Sequence, residues 1–137
     1  MCITKILAEH ARYKKVRIYI GGNSFNAIVA DTFFKRAIGL MHRKGLGKNE
    51  CMLFIFDRPM KEGIWMANMH FAIDIVWVGS NLEVVDVLKN VEPCSSMFGC
   101  PTHYPKRDAL YVLEFTAGAV DRFNIDKKKK LKIVKKG

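Results

Sequence analysis

The stretch that most constrains this chain runs from Trp65 to Val78, WMANMHFAIDIVWV, and sets an acid inside an apolar strand. Ala72 to Val78 has strand length and is rich in β-branched and aromatic residues, with Asp74 near its middle. Alternation directs Ile73, Ile75 and Trp77 to one face and Asp74, Val76 and Val78 to the other. Both faces are apolar, so the strand is expected to be covered on both sides. A carboxylate there needs a cation, a metal or several hydrogen-bond donors, or else it takes up a proton. The reading adopted is an ionised Asp74 held by an arginine, Arg43 first and Arg36 second. Trp65, Asn68 and His70, just upstream, offer donors or a binding wall.

The rest of the chain reads as short strands joined by turns. Lys14 to Ile20 and Ser24 to Ala30 flank Gly21-Gly22-Asn23, a hairpin signal. Thr32 caps a short helix through Phe33, Phe34 and Ala37 towards Met41, which Gly39 weakens or ends. Cys51 to Phe56 is an unbroken apolar run suited to a buried strand, and Pro59 is expected to break it. Leu82 to Leu88 returns beside the central stretch across the Gly79-Ser80-Asn81 turn. A loop from Lys89 to Asp108 follows, of a length that in compact domains is often functional. Ala109 to Thr116 is another core strand, carrying Glu114. Ala117 to Phe123 suits one helical turn and Leu131 to Val134 a closing strand. Residues 1–13 are ambiguous, with Ile3, Ile6, Leu7 and Ala11 fitting one helical face. This pattern implies an all-β class, a β-rich sandwich or barrel with one or two short helices, in a single domain over residues 1–137.

Composition excludes several classes. Half of the 137 residues are apolar and 26% are charged, which is globular and not disordered. No apolar run approaches the ~20 residues of a membrane span, and the N-terminus lacks the pattern of a secretory signal, so a cytoplasmic protein with no membrane partner is expected. The net charge of +10 is concentrated in the stretch 127–137, where seven lysines follow Asp126 without an acid among them. Such a tail can attract nucleic acid, or can protect an edge strand against aggregation. No aromatic residue interleaves these lysines as in a base-stacking surface, which favours edge protection. Cys2, Cys51, Cys94 and Cys100 form no CxxC pair; Cys94 and Cys100 flank a short loop and are either thiols or a disulfide. Many lysines and no glutamine lean towards a thermophile.

Asp74 and Glu114 are acids inside apolar strands, and Arg36 and Arg43 flank the Gly39-Leu40-Met41 turn. They read either as a cleft converging on a polar ligand or as structural ion pairs. His42, His70 and His103 lack close zinc-type spacing, so no metal and no cofactor is expected. Cys51 opens a buried strand, where thiols are usually inert. GxSxG, P-loop and GxGxxG motifs are absent.

Five blocks stand in order: Thr32 to Arg43, Met52 to Phe56, Trp65 to Met69 with Ile73-Asp74-Ile75, Val91-Glu92-Pro93, and Tyr111 to Glu114 with Ala117-Gly118. Over about residues 15–135 this resembles the uncharacterised prokaryotic family called domain of unknown function 192. The resemblance implies a small β-rich fold found in bacteria and archaea, with no established activity. It points to Arg36, Gly39, Met41, Arg43, Trp65, Met66, Asn68, Asp74 and Glu114. Cys51, Ala67 and Ala72 depart from the glycine, lysine and proline usual in the family, and the Lys127–Lys130 run replaces its Gly-Asp turn.

The leading functional expectation is a small-molecule or carbohydrate-like binding cleft. Trp65 and the methionines would wall it and Arg43, Asn68 and Asp74 would set its polar end; Arg36, Met41, Met66 and Glu114 complete the candidate ligand-binding residues. The alternatives are a hydrolase or lyase using Asp74 or Glu114 as acid or base, and a nucleic-acid interaction module using the tail. The tail reading is tested directly. Binding of duplex DNA is expected to be weak, steeply salt-dependent and abolished when the tail lysines become glutamines. Tight, sequence-selective binding near physiological salt in a gel-shift assay would overturn it.

Overall fold

The computed structural model describes residues 3–95 and 99–134. The first element, α1 (Ile3–His10), is a short helix that buries none of its residues. β1 (Lys15–Ile20) and β2 (Asn23–Ala30) then form the expected hairpin, with Gly21 and Gly22 both at positive φ. A two-residue turn of that hand matches strand twist and favours glycine. The Thr32 hydroxyl accepts from the Lys35 N–H at 3.2 Å and caps α2 (Phe33–Ile38). Gly39 ends the helix at φ 52° and ψ −128°, a backbone conformation a side chain would strain.

Helix α2 is the crossover that lets β2 pair in parallel with β3 (Glu50–Met60). Here the structure corrects the sequence reading, because β3 continues through Pro59. Its register against β8 (Ala109–Thr116) is irregular between Ile55 and Met60, so the missing proline N–H forfeits no ladder bond. The chain goes on through β4 (Ile64–Trp65), β5 (Ile73–Val78) and β6 (Val84–Val91) to β7 (Thr102–His103). The long loop is thus more ordered than expected. β6 takes its first residues, β7 pairs with β4, and a Cys94–Cys100 disulfide closes it. Asp86, an acid the sequence reading passed over, accepts from the Lys106 N–H at 2.8 Å and ties down the loop's far end.

After β8 come α3 (Ala119–Arg122) and β9 (Leu131–Val134). Seven strands form one mixed sheet in the order β6-β5-β8-β3-β2-β1-β9. The sheet curls enough for its two edges to meet at one corner. There the Val84 N–H donates to Lys129 O at 3.0 Å and the Leu131 N–H to Leu82 O at 2.8 Å. That contact does not extend along the strands, so the fold is mostly β without a closed barrel. The tail lysines lie on and before edge strand β9. Lys130 is 3.7 Å from Glu83, Lys132 sits over Tyr19, and Lys135 and Lys136 fall outside the described residues.

Both faces of β5 are buried, as its sequence requires. Val76 and Val78 join Ile18, Phe25, Leu53 and Phe115 in one cluster; Ile73, Ile75 and Trp77 join Met52, Phe54 and Met66 in the other. Asp74 is fully buried on the first face. It is not held by an arginine. Its Oδ1 accepts from the Asn90 N–H at 2.9 Å, and its Oδ2 from Gly118 and Val120 N–H at 3.0 and 2.9 Å. The β5–β6 register shifts between Ile73 and Ile75, and Asn90 stands there at positive φ, so the acid takes up a donor at the bulge. Arg43 instead lies over the Tyr13 ring, 5.4 Å from its centroid.

Asp74→Asn is expected to cost about 2–4 kcal/mol, because an amide NH2 then faces a buried N–H donor. Arg43→Met should cost less than about 1 kcal/mol. Urea denaturation of the two single mutants and the double mutant checks this. A coupling well above ~0.5 kcal/mol would restore the arginine pairing.

Candidate functional site

A cleft of about 670 Å³ opens on the sheet face opposite Asp74. The turn after α2 forms one wall through Leu40 and Met41, and β3 contributes Phe54, Phe56 and Met60. Ile64, Trp65 and Met69 form the other wall, while Phe33 and Arg36 of α2 stand at the mouth. Gly39 belongs to this wall for a steric reason as well. A Cβ there would lie 3.3 Å from Phe54 Cζ, a tight contact that would push the ring or the turn aside by a few tenths of an ångström. Trp65 is 50% exposed and Phe33 73%, leaving aromatic surface at the entrance.

Asp57 and Glu62 line the cleft but are not buried; the buried acid in the lining is Glu114 of β8. It lies opposite Met52 on β3 and Ile75 on β5, both members of the apolar cluster on this face. Glu114 is 3% exposed and has no hydrogen-bond or ion-pair partner among the described residues. No fully enclosed side-chain oxygen there lacks a partner, so the carboxyl oxygens of Glu114 keep their small exposure towards the cleft. Burial, with no cation to offset it, pushes this carboxyl up to about 8. At neutral pH it is a protonated acid, able both to donate and to accept.

Arg36 is a cation of the cleft lining whose side chain is largely buried. Its Nη1 donates to Ile55 O at 2.9 Å, its guanidinium lies over Phe56, and Asp57 is 3.9 Å away. These contacts hold it against β3. Of the residues singled out from sequence, Arg36, Gly39, Met41, Trp65 and Glu114 line the cleft; Arg43, Met66, Asn68 and Asp74 do not. Asn68 is a turn residue at φ 59°, whose carbonyl accepts from the His42 N–H at 2.9 Å and whose amide reaches Met41 Sδ at 3.8 Å. Met66 is buried beneath the cleft wall. Asp74 and Glu114, expected from sequence to converge with the arginines on one cleft, are on adjacent strands but on opposite faces. Asp74 is opposite Phe115, and Ile75 is opposite Glu114.

Phe33, Phe56, Met60 and Met69 were not singled out by sequence reasoning. The one available signal was the aromatic and methionine content on both sides of Pro59. Cys51 is buried, which together with Glu50 pushes its thiol well up and leaves it unreactive. Burial also raises the Tyr13 hydroxyl, against the opposing pull of Arg43. Among the described residues no three His, Cys, Asp or Glu side chains group to hold a metal, and no helix is long and apolar enough to cross a membrane.

Fold and cleft together define a curled, mostly β protein with an apolar recess floored by a single acid. The chain belongs to the family described as uncharacterized ACR, domain of unknown function 192, whose model matches residues 16–133. A UPF0127 protein of Thermococcus sibiricus is 34% identical over 100 residues, covering 72% of this chain and 59% of that protein. The chain therefore spans well under two thirds of that relative's length. A UPF0127 protein of Pyrococcus furiosus is 33% identical over 102 residues, covering 71% of this chain and 77% of the relative. A solved structure from Novosphingobium aromaticivorans, of unknown function, superposes with a TM-score of 0.79 at 27% identity, covering 92% of this chain and 96% of its own. One from Sinorhizobium meliloti, provisionally described as a transcription regulator, superposes at 0.82 and 24% identity, covering 90% and 97%, and shares the fold.

The Glu114 carboxyl makes a signed prediction for pH. Its folded value lies above its unfolded one, so between about 4.5 and 8 the native state holds more protons than the unfolded state. Stability from this group is greatest below the unfolded value and falls as pH rises towards 8. The loss by pH 7 is on the order of 3 kcal/mol. Glu114→Gln should remove that slope. Urea midpoints from pH 5 to 8 check it, and parallel slopes in both proteins would disprove the assignment.

Proposed function

We propose that this chain binds a small, largely apolar molecule in the cleft beside Trp65, with the molecule's polar end towards Glu114. One observation carries the reading, the unpartnered acid at the floor of an apolar recess. Elsewhere among the described residues, the buried acids Asp74 and Asp86 are satisfied by backbone donors; Glu114 alone faces open space. Apolar walls with a few placed polar groups are what small-molecule sites consist of. The polar end, expected from sequence at Arg43, Asn68 and Asp74, passes in this reading to Glu114 and Arg36. The half-exposed indole of Trp65 suits the face of an aromatic or sugar ring.

A second reading has its own support. A carboxyl kept protonated near neutral pH is what a general acid requires, so hydrolase or lyase chemistry through Glu114 is the alternative. Asp74 has no part in it, being enclosed and fully engaged.

The binding test uses 13C-methyl methionine spectra, because Met41, Met60 and Met69 line the cleft while Met52 is fully buried in the sheet beneath and takes no part in the lining. Titration with p-cresol is expected to give saturable shifts at the three cleft methyls. Trp65→Ala should weaken binding at least fivefold and, as a half-exposed site, change stability by no more than about 1 kcal/mol. Shifts that never saturate, or that fall equally on Met52, would refute the reading.

A further inference from the structure

We propose that the cleft selects an uncharged ligand whose apolar or aromatic body ends in an amide-type group, a donor and an acceptor side by side, paired with the Glu114 carboxyl. The inference rests on the binding reading above and adds the ligand's chemical class to it.

The neighbours of Glu114 decide the charge. Across the sheet it faces Met52 and Ile75, neither of which can stabilise an ion. The charged groups in the cleft lining come from α2 and from the segment 57–62: Arg36, Asp57, Arg58 and Glu62. Arg36 is engaged by Ile55 O, the Phe56 ring and Asp57. Asp57 and Arg58 are exposed at the rim, where water serves them. None of the four pairs with Glu114. An acid left without a cation in an apolar recess is most cheaply kept neutral.

A neutral carboxyl presents one O–H donor and one carbonyl acceptor in a single plane. The group that meets both at once is a primary or secondary cis amide, through two parallel hydrogen bonds. An ammonium ligand would satisfy only an ionised carboxylate and would add its own desolvation to that of the acid. A carboxylate ligand would meet one donor and a repelling oxygen. A hydrocarbon would leave the acid as it is. Ranking these four classes puts the amide first by complementarity and by desolvation alike.

The test compares benzamide, benzylamine, benzoate and toluene against the full chain, read by the methyl shifts of Met41, Met60 and Met69 at pH 6 and pH 9. At pH 6 benzamide is expected to bind at least tenfold more tightly than the other three. At pH 9, where Glu114 ionises, that advantage should disappear. Glu114→Gln keeps a donor and an acceptor but does not titrate, so it should retain benzamide binding at both pH values. Glu114→Leu should bind benzamide and toluene alike. Benzylamine binding most tightly, and more so at higher pH, would overturn the proposal in favour of a cation site. All four binding equally, with no response to Glu114→Gln or Glu114→Leu, would remove the ligand class and leave the cleft a general apolar site. No saturable shift from any of the four would remove both the ligand class and the binding reading.

Discussion

Asp74 is the point on which the rest of this fold is hung. Its two oxygens take N–H donors from two elements remote in sequence, the bulge at Asn90 in β6 and the turn entering α3. Next to it, the Ala117 N–H donates to Ala72 O, so β5 and the end of β8 are fixed together. From there the constraint passes along the same face towards the other end of the sheet. α3 and the residues after it present Val120, Phe123 and Ile125 to the inner cluster, and Phe123 packs edge-on against Phe25 of β2 at 5.0 Å. The Asn23 amide donates to Phe123 O at 3.3 Å, which ties in the β1–β2 hairpin. A buried acid is expensive only when its acceptors are unmet. Here they organise three backbone donors and so set where α3 lies.

With one face of β5 sealed in this way, the other is covered by lighter material. The turn after α2 and the two-stranded β4–β7 sheet lie over Met52, Phe54, Ile75 and Val112 without filling the space above them. The cover is kept in place by few ties. Cys94 donates its N–H to Met66 O at 3.1 Å, the disulfide joins Cys94 to Cys100, and Trp77 Nε1 donates to Glu62 O at 3.1 Å. Gly63 adds a steric one, since a Cβ there would collide with Thr102 Cγ2 and lie 2.7 Å from the Tyr104 ring. The cleft is what remains where a short cover meets a broad sheet.

The alternation in Ile73 to Val78 was legible as it stood, because a period of two needs no partner strand to define a face. The hairpin and the Thr32 cap were legible too, since their chemistry is local. What sequence could not supply was register. Asp74 and Glu114 look alike as acids in apolar strands, and only the pairing of Ile75 with Glu114 puts them on opposite faces. The arginine expected for Asp74 failed for a related reason. Backbone N–H groups have no letter in a sequence, and a bulge at Asn90 is a product of pairing rather than of composition. Trp65 was found because it stands just upstream of the acid-bearing strand and Arg36 because it flanks the Gly39-Leu40-Met41 turn, and the family pattern marked both as well. Met60 was missed because Pro59 seemed to end the strand that carries it to the cleft, and Phe56 because an unbroken apolar run does not tell which of its residues face a cleft.

The two acids therefore make a controlled comparison within one molecule. Both are carboxyls on adjacent central strands, and both are almost fully removed from water. Asp74 sits against a bulge and the turn entering α3, where unpaired N–H groups are available, and it is satisfied from within. Glu114 sits against regular ladder, where the donors of β3 and β5 are directed along the sheet and not at its face. No rearrangement of the neighbouring strands could supply it without breaking that ladder. Its compensation has to come from the open side, from water or from a ligand that replaces water. A ligand that fits does more than bind, because it meets a polar group whose burial has already been imposed by the fold. That lowers the desolvation it must overcome on arrival and couples its occupancy to the stability of the whole sheet.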